Sequence, residues 1–302
     1  IGTGRMGLAL QKEYQDQLKL VQDEIGFSHI RGHGLFSDDM AIYQEYETEN
    51  GEKRAEYNFT YLDLVMDSYR ELSLKPFLEL GFMPEKLASG DQTIFYWKGN
   101  TTPPKNYDGW CELVIETLRH LMMRYGAEEV VTWPIEVWNE PNVQGFAYRN
   151  DCSGAMYAKL VIAASEAVKS AQPNAIILAG AFNSMLKDQV VAEHDTKAVD
   201  FCRDMLAYPG TAEHIDAVSF HPYHNDGKYS DESTFSSDLE NVKKIFASAG
   251  VLDMPIWFTE FGSSSWYDED QGSHSYWYGY TVEEQAANLV RMGIMVKSEP
   301  QI

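Results

Sequence analysis

Trp133-Pro134-Ile135-Glu136-Val137-Trp138-Asn139-Glu140-Pro141-Asn142 is the stretch from which the rest of the chain is read. It opens as a strand, because Ile135, Val137 and Trp138 suit a pleated, buried surface. It stops at Pro141, which cannot donate to a ladder and biases Glu140 toward an extended backbone. A polar pair, Asn139-Glu140, therefore sits at the C-terminal end of an apolar strand, where an α/β barrel keeps its chemistry. A carboxyl between Trp138 and Pro141 is expected to be partly desolvated, which favours its proton-carrying form. The structural alternative is a strand-end Glu that caps a helix or faces water.

Working outward, strands and helices alternate along the whole chain. Strands are expected from near residues 27, 75, 133, 175, 216 and 255. Helices are expected over 8–25, 61–72, 108–125, 152–171, 190–206, 236–250 and 281–295. Strand–helix alternation argues for a parallel sheet with helices outside it. The continuous apolar run Ala175–Gly180 suits a strand buried on both faces. A strand ahead of Ile1 would make seven, and the closing strand of an eight-fold barrel would lie beyond Ile302. The expected fold is thus α/β, a (β/α)8 TIM barrel, incomplete here because it lacks the last strand. Residues 1–302 are read as one catalytic barrel domain truncated at both ends. Leu35–Tyr57 reads as a polar loop with a hairpin turn at Asn50-Gly51. The loops over 83–107 and 263–279 are rich in aromatic residues, and Phe95 and Trp97 are candidates for stacking on a sugar or for packing the first of these loops down.

The bulk composition narrows the function. The 302 residues carry 46 acidic and 24 basic side chains, a formal charge of −22, which argues against nucleic acid or anionic membrane as a partner. No apolar run approaches the ~18 residues of a spanning helix. The three cysteines, Cys111, Cys152 and Cys202, form no CxxC and fall in helix-like segments, so they read as buried thiols rather than a metal or redox site. An odd count without a disulfide framework favours a reducing compartment, and a cytoplasmic location is expected. No cofactor and no metal are expected, and an oligomer is left open. Ile1-Gly2-Thr3-Gly4-Arg5-Met6-Gly7 matches G-x-G-x-x-G, but no strand precedes it and the next strand ends in basic and small residues. A nicotinamide-dependent oxidoreductase is the weaker reading; a loop after a first strand upstream is the stronger one.

Counted in barrel order, Glu140 ends the fourth strand and Glu260 the seventh, so both project over the same mouth. Two carboxylates there are what glycoside hydrolysis requires. Glu260, which follows Phe258 and Thr259, is expected to face Arg31, His221 and Tyr223. Positive charge and donors keep a carboxylate ionised, which suits a nucleophile. Glu140 suits the acid, and the Asn139 amide suits a sugar 2-hydroxyl. By alternation, His29, Arg31 and His33 share one face of their strand. Glu79, unusual inside a strand, is a partner for Arg31 or a support for the site. Glu136 reads as an internal structural charge.

Trp-Asn-Glu-Pro after strand four, with Thr-Glu-Phe-Gly closing strand seven, resembles the clan A retaining glycoside hydrolases. Ile30–Asp39, Pro76–Glu85, Phe95–Asn100 and Trp133–Asn142 resemble the family 39 β-xylosidases more specifically. The likeness is strong over most of residues 1–145 and looser over 210–262. It implies an O-glycosyl hydrolase that releases xylose from xylo-oligosaccharides by double displacement. It also implies Glu140 as acid/base and Glu260 as nucleophile, with His33, Asn139, His221 and Tyr223 near the glycone or the nucleophile. Arg31, Glu79, Phe95 and Trp97 support the site. Three departures stand out. The family's accessory β-sandwich is not evident, the eighth strand and its glycone contacts are missing, and the residues around His221 and Tyr223 vary. The family also includes α-L-iduronidases, and a non-catalytic carbohydrate-binding barrel is a further alternative.

Overall fold

The structure is a computed structural model that describes residues 1–147, 151–183, 197–223, 232–262 and 282–302. One curled sheet of seven parallel strands runs through it in sequence order. The strands are β1 (Gly2–Arg5), β2 (His29–His33), β3 (Lys75–Glu79), β4 (Ile135–Val137), β5 (Ile177–Asn183), β6 (Ala217–His221) and β7 (Ile256–Phe258). The long helices are α1 (Lys12–Ile25), α2 (Thr60–Glu71), α3 (Tyr107–Tyr125), α4 (Gly154–Ala171), α5 (Ala198–Ala207), α6 (Glu232–Ser248) and α7 (Val282–Ser298), with one short α-helical turn at Ala127–Val130. Among the described residues β1 and β7 are the two edges of the sheet, so the fold is an incomplete (β/α)8 barrel, as expected.

Several features depart from the expectation. The first strand is Gly2–Arg5 itself, not a segment upstream of Ile1. Gly2 and Gly4 lie in this strand and Gly7 in the 3-10 helix Met6–Leu10 that follows, so no phosphate-cradling loop forms and the nicotinamide reading falls. The same 3-10 turn splits the helix expected over 8–25, and α1 begins only at Lys12. The polar loop 35–57 holds an antiparallel hairpin, Tyr43–Glu47 with Lys53–Tyr57, whose turn carries Asn50-Gly51 as expected. Of the cysteines, Cys202 is buried, whereas Cys111 and Cys152 are half-buried, and Cys152 lies ahead of α4 rather than in it. The loop 263–279, His224 and residues 190–196 of the expected helix 190–206 lie outside the described residues.

The barrel has two apolar layers. Most of the core lies between sheet and helices, with Trp110, Trp133, Tyr157, Phe182 and Phe201 fully buried. A small inner plug, Phe77, Leu178, Ala217 and the flanking Trp257, fills the lower barrel. Helix ends follow local rules. Asn106 and Ser153 cap α3 and α4 through their side chains, and Gly26 ends α1 in the left-handed region. Above the inner plug the interior turns polar, and that change of character marks the site.

Register explains which residues point inward. In a parallel sheet, paired residues share a face. Arg31 pairs with Phe77, Glu79 with Glu136, Glu136 with Leu178, Leu178 with Ala217, and Ser219 with Trp257. Hence Arg31, Glu79, Glu136 and Ser219 all face the interior. The β5–β6 register then slips: Val218 pairs with Ala179, but Phe220 pairs with Phe182 and His221 with Asn183. Gly180 and Ala181 together oppose Ser219, which is a β-bulge. Gly180 has φ +132° and an added Cβ would lie 2.3 Å from the Ser219 carbonyl oxygen. The bulge shifts the parity of β5 by one, so Asn183 faces inward although Leu178, five positions earlier, does too.

Candidate active site

The floor of the mouth is a buried ion cluster built around Arg31. Its guanidinium donates from Nε to Glu136 Oε2 at 2.7 Å and from Nη2 to Asn139 Oδ1 at 2.9 Å. It also reaches Glu79 Oε2 at 2.9 Å and Glu260 Oε2 at 3.2 Å. Glu79 and Glu136 are fully buried and adjacent across β3 and β4, a like-charge pair that the interior tolerates only with a cation between them. Burial alone would lower the Arg31 pKa, but Glu136, Glu79 and Glu260 outweigh it and raise it. The sequence expectation that Arg31 balances internal carboxylates, with Glu79 and Glu136 as those charges, matches this arrangement. Thr259 adds a hydrogen bond to Glu136 Oε1 at 2.8 Å.

His33 extends the cluster toward the cleft. Its Nδ1 lies 2.7 Å from Glu79 Oε2 and its Nε2 lies 3.8 Å from Glu260 Oε2. Burial would lower the His33 pKa, but the charge and hydrogen bond of Glu79 prevail and raise it.

Glu260 follows β7 with its side chain 30% exposed, against 8% for Glu140. Tyr223 donates to its Oε1 at 2.7 Å, and His221 Nδ1 lies 3.7 Å from its Oε2. Burial pushes the Glu260 carboxyl up, but His221, Arg31, His33 and the Tyr223 hydroxyl together hold it below the usual carboxylate value. Burial and the neighbouring Glu260 push the Tyr223 phenol up, so it stays a donor at neutral pH.

Glu140 sits opposite. Asn183 Nδ2 donates to its Oε1 at 2.7 Å, and His221 Nδ1 lies 2.9 Å from the same oxygen. His221 Nδ1 therefore stands between the carboxyls of Glu140 and Glu260. The two legs, 2.9 and 3.7 Å, limit the distance from Glu140 Oε1 to Glu260 Oε2 to at most about 6.6 Å.

The backbone here is strained. Trp138 has φ +71°, Glu140 φ +44° and Ala181 φ +48°, so Glu140 is left-handed rather than extended as its position before Pro141 suggested. Each such residue costs on the order of 1–3 kcal/mol and persists only where its surroundings hold it. The holding bonds are present. Glu140 N–H donates to Ala181 O at 3.1 Å, and Trp138 Nε1–H donates to Phe146 O at 2.7 Å. The buried Tyr157 hydroxyl donates to Val137 O at 2.6 Å and accepts from Gly180 N–H at 2.9 Å, bolting β4 to β5 where the ladder breaks.

These groups line a cleft of about 640 Å³, within the range of small-molecule sites. Phe95, Trp97 and Phe146 form one wall: the Phe95 and Trp97 rings stack at 5.2 Å and Phe146 meets Phe95 edge-on at 5.5 Å. Phe95 and Trp97 lie at the tip of a short hairpin, Thr93–Ile94 with Gly99–Asn100, inside the stretch read as a loop. Among the described residues no set of three or more His, Cys, Asp or Glu is arranged to hold a metal ion, and none of the described helices is long and apolar enough to cross a membrane.

All ten residues singled out from the sequence come together around this mouth: Glu140, Glu260, His33, Asn139, His221, Tyr223, Arg31, Glu79, Phe95 and Trp97. For Asn139 the structure adds which end of the amide is engaged. Its amide oxygen is taken by Arg31, which leaves its NH2 as the free end. The sequence reading missed Asn183, Asn142, Thr259 and Phe146. The available signal for Asn183 was that Ala181-Phe182-Asn183 extends the apolar run past Gly180 and ends it on a polar residue, as Asn139-Glu140 ends β4.

Comparison with known proteins agrees with this geometry. A sequence profile described as glycosyl hydrolases family 39 matches residues 1–291. A β-xylosidase of Geobacillus stearothermophilus is 43% identical over 270 residues, covering 87% of this chain and 52% of the relative. A β-xylosidase of Caldicellulosiruptor saccharolyticus is 35% identical over 275 residues, with the same coverage of each. The solved structure of a GH39 β-xylosidase from Caulobacter crescentus superposes with a TM-score of 0.75 at 30% identity, covering 98% of this chain and 59% of that one. The chain spans about half the length of the curated relatives it matches. By sequence, fold and the placement of two carboxylates over the barrel mouth, the chain belongs to glycosyl hydrolase family 39.

Proposed function

We propose that the chain forms the catalytic barrel of a retaining, exo-acting β-xylosidase. The observation that carries this reading is the pair Glu140 and Glu260, held on either side of His221 with their nearest engaged oxygens at most about 6.6 Å apart. Retaining enzymes place the two carboxyls about 5–5.5 Å apart and inverting ones about 6.5–9.5 Å, and two carboxyls bridged by one imidazole nitrogen suit the shorter, retaining spacing. Glu260, kept ionised and the more exposed of the two, attacks the anomeric carbon. Glu140 gives its proton to the leaving oxygen as the glycosidic bond breaks. Water then gives a proton back to Glu140 while its oxygen displaces Glu260 from the sugar. The free NH2 of Asn139 is positioned to meet the sugar's 2-hydroxyl.

A neutral glycone is favoured over a uronate by the state of the cations. Among the described residues around the cleft, Arg5 is paired with Asp39 at 2.6 Å, His33 with Glu79, and Arg31 with three carboxylates. Each of these three cations already holds a protein carboxylate, which suits a neutral glycone such as xylose better than iduronate. A non-catalytic sugar-binding barrel would have no need of the paired carboxylates or of a nucleophile held ionised. The test is the Glu260→Ala variant with an activated aryl β-xyloside. Hydrolysis should fall by orders of magnitude, and azide should restore turnover with an α-xylosyl azide product. A β-configured azide product would reverse the two roles, and unchanged hydrolysis would remove Glu260 from the chemistry.

A further inference from the structure

Glu140 carries two oxygens, and the structure treats them differently. Oε1 faces Asn183 Nδ2 at 2.7 Å and His221 Nδ1 at 2.9 Å. Neither contact involves Oε2. Asn183 is itself fixed by a reciprocal clamp. Its backbone N–H donates to Asn142 Oδ1 at 3.0 Å, and its carbonyl accepts from Asn142 Nδ2 at 3.1 Å. Asn142 lies two residues after Glu140, so a closed circuit runs from Glu140 along the chain to Asn142, across to the Asn183 backbone, and back through the Asn183 amide to Glu140 Oε1. The β-bulge at Gly180 and Ala181 is what turns Asn183 into the barrel to complete it.

The ring of His221 decides where its proton sits. The residue is fully buried, and among the described residues its Nε2 has no hydrogen-bond partner. A buried N–H without an acceptor is among the costlier defects in a protein interior. The proton therefore belongs on Nδ1, where Glu140 Oε1 accepts it. With two donors directed at Oε1, a proton on that oxygen would face N–H groups rather than an acceptor.

We infer that Asn183 is a positioning residue that fixes Glu140 Oε1 as a permanent acceptor and so makes Oε2 the oxygen that exchanges the proton with substrate and water. The inference rests on the acid/base reading of Glu140. In the first step Oε2–H passes its proton to the glycosidic oxygen as the C–O bond breaks, leaving the carboxylate. In the second, Oε2 takes a proton from water as the water oxygen bonds to the anomeric carbon. Oε1 keeps both donated hydrogen bonds throughout, so the carboxyl need not rotate between steps.

The test separates proton transfer from folding. Asn183→Asp keeps the shape and replaces the donor with an acceptor; Asn183→Ala removes the amide. For each, kcat/KM is measured on 2,4-dinitrophenyl β-xyloside, whose leaving group needs no proton, and on phenyl or methyl β-xyloside, whose leaving group does. The expected result is a change within about threefold on the activated substrate and a loss on the order of tenfold to a hundredfold on the others. Glu140→Ala, measured alongside, should show the same split more strongly. An equal loss on all substrates, or none, in both Asn183 variants while Glu140→Ala splits them would overturn the role of Asn183 alone. Absence of the split in Glu140→Ala would overturn the acid/base reading and this inference with it.

Discussion

Replacing Arg31 with Met removes the cation on which three carboxylates converge while leaving a side chain of comparable length. Glu79 and Glu136, both fully buried, lose partners at 2.9 and 2.7 Å, and Glu260 loses one at 3.2 Å. Asn139 also loses the donor that orients its amide. Breaking a buried ion pair from one side typically costs about 3–5 kcal/mol, because the remaining charge stays desolvated. That is a large share of the roughly 5–15 kcal/mol that holds a domain folded. At about 2–4 °C per kcal/mol, the midpoint of thermal unfolding should fall by roughly 6–20 °C. Urea unfolding of Arg31→Met measures the loss directly. The decisive comparison is the same substitution in a Glu79→Gln, Glu136→Gln background, where the buried charges are already neutral. There it should cost less than half as much, since coupled neighbours are not additive. An equal cost in both backgrounds would refute the view that Arg31 acts through its charge on this cluster rather than through packing.

Three further outcomes follow from the same geometry. Gly180→Ala places a Cβ 2.3 Å from the Ser219 carbonyl at φ +132°; denaturant unfolding should show a loss on the order of 3 kcal/mol or more. The Glu260 pKa lies below its usual 4.5, so kcat/KM should hold on the acid side until that carboxylate protonates. Tyr223→Phe removes a donor to the charged form and should move the acid limb to higher pH. The raised His33 pKa contributes stability that is fully present below the ordinary value of 6.5 and is lost as pH rises through the folded value. The difference in unfolding free energy between the parent and His33→Gln should therefore shrink as pH rises above about 6.5.

What the sequence made legible was what simple periodicity governs. Strand alternation put His29, Arg31 and His33 on one face, and the register confirms that Arg31 meets Glu79 and Glu136 across β3 and β4. Strand counting put Glu140 and Glu260 over one mouth without any local signal that they belong together. What it could not carry begins where the backbone leaves the regular strand. Parity along β4 groups Glu140 with Glu136, but the left-handed Trp138 and Glu140 break the alternation, so the two side chains end in different surroundings: one inside the ion cluster, the other at the cleft. Parity along β5 starting from Leu178 would turn Asn183 away from the barrel, and only the bulge at Gly180 and Ala181 reverses it. Both irregularities lie at the C-terminal ends of adjacent strands and both bear on Glu140. One aims its carboxyl, and the other supplies the amide that holds it. Left-handed non-glycine residues carry no compositional mark, since their cost is offset by distant bonds such as those of Tyr157. The regular part of the barrel thus fixes which strands meet at the mouth. The departures from regularity, each held by named tertiary bonds, set the orientation on which proton transfer depends.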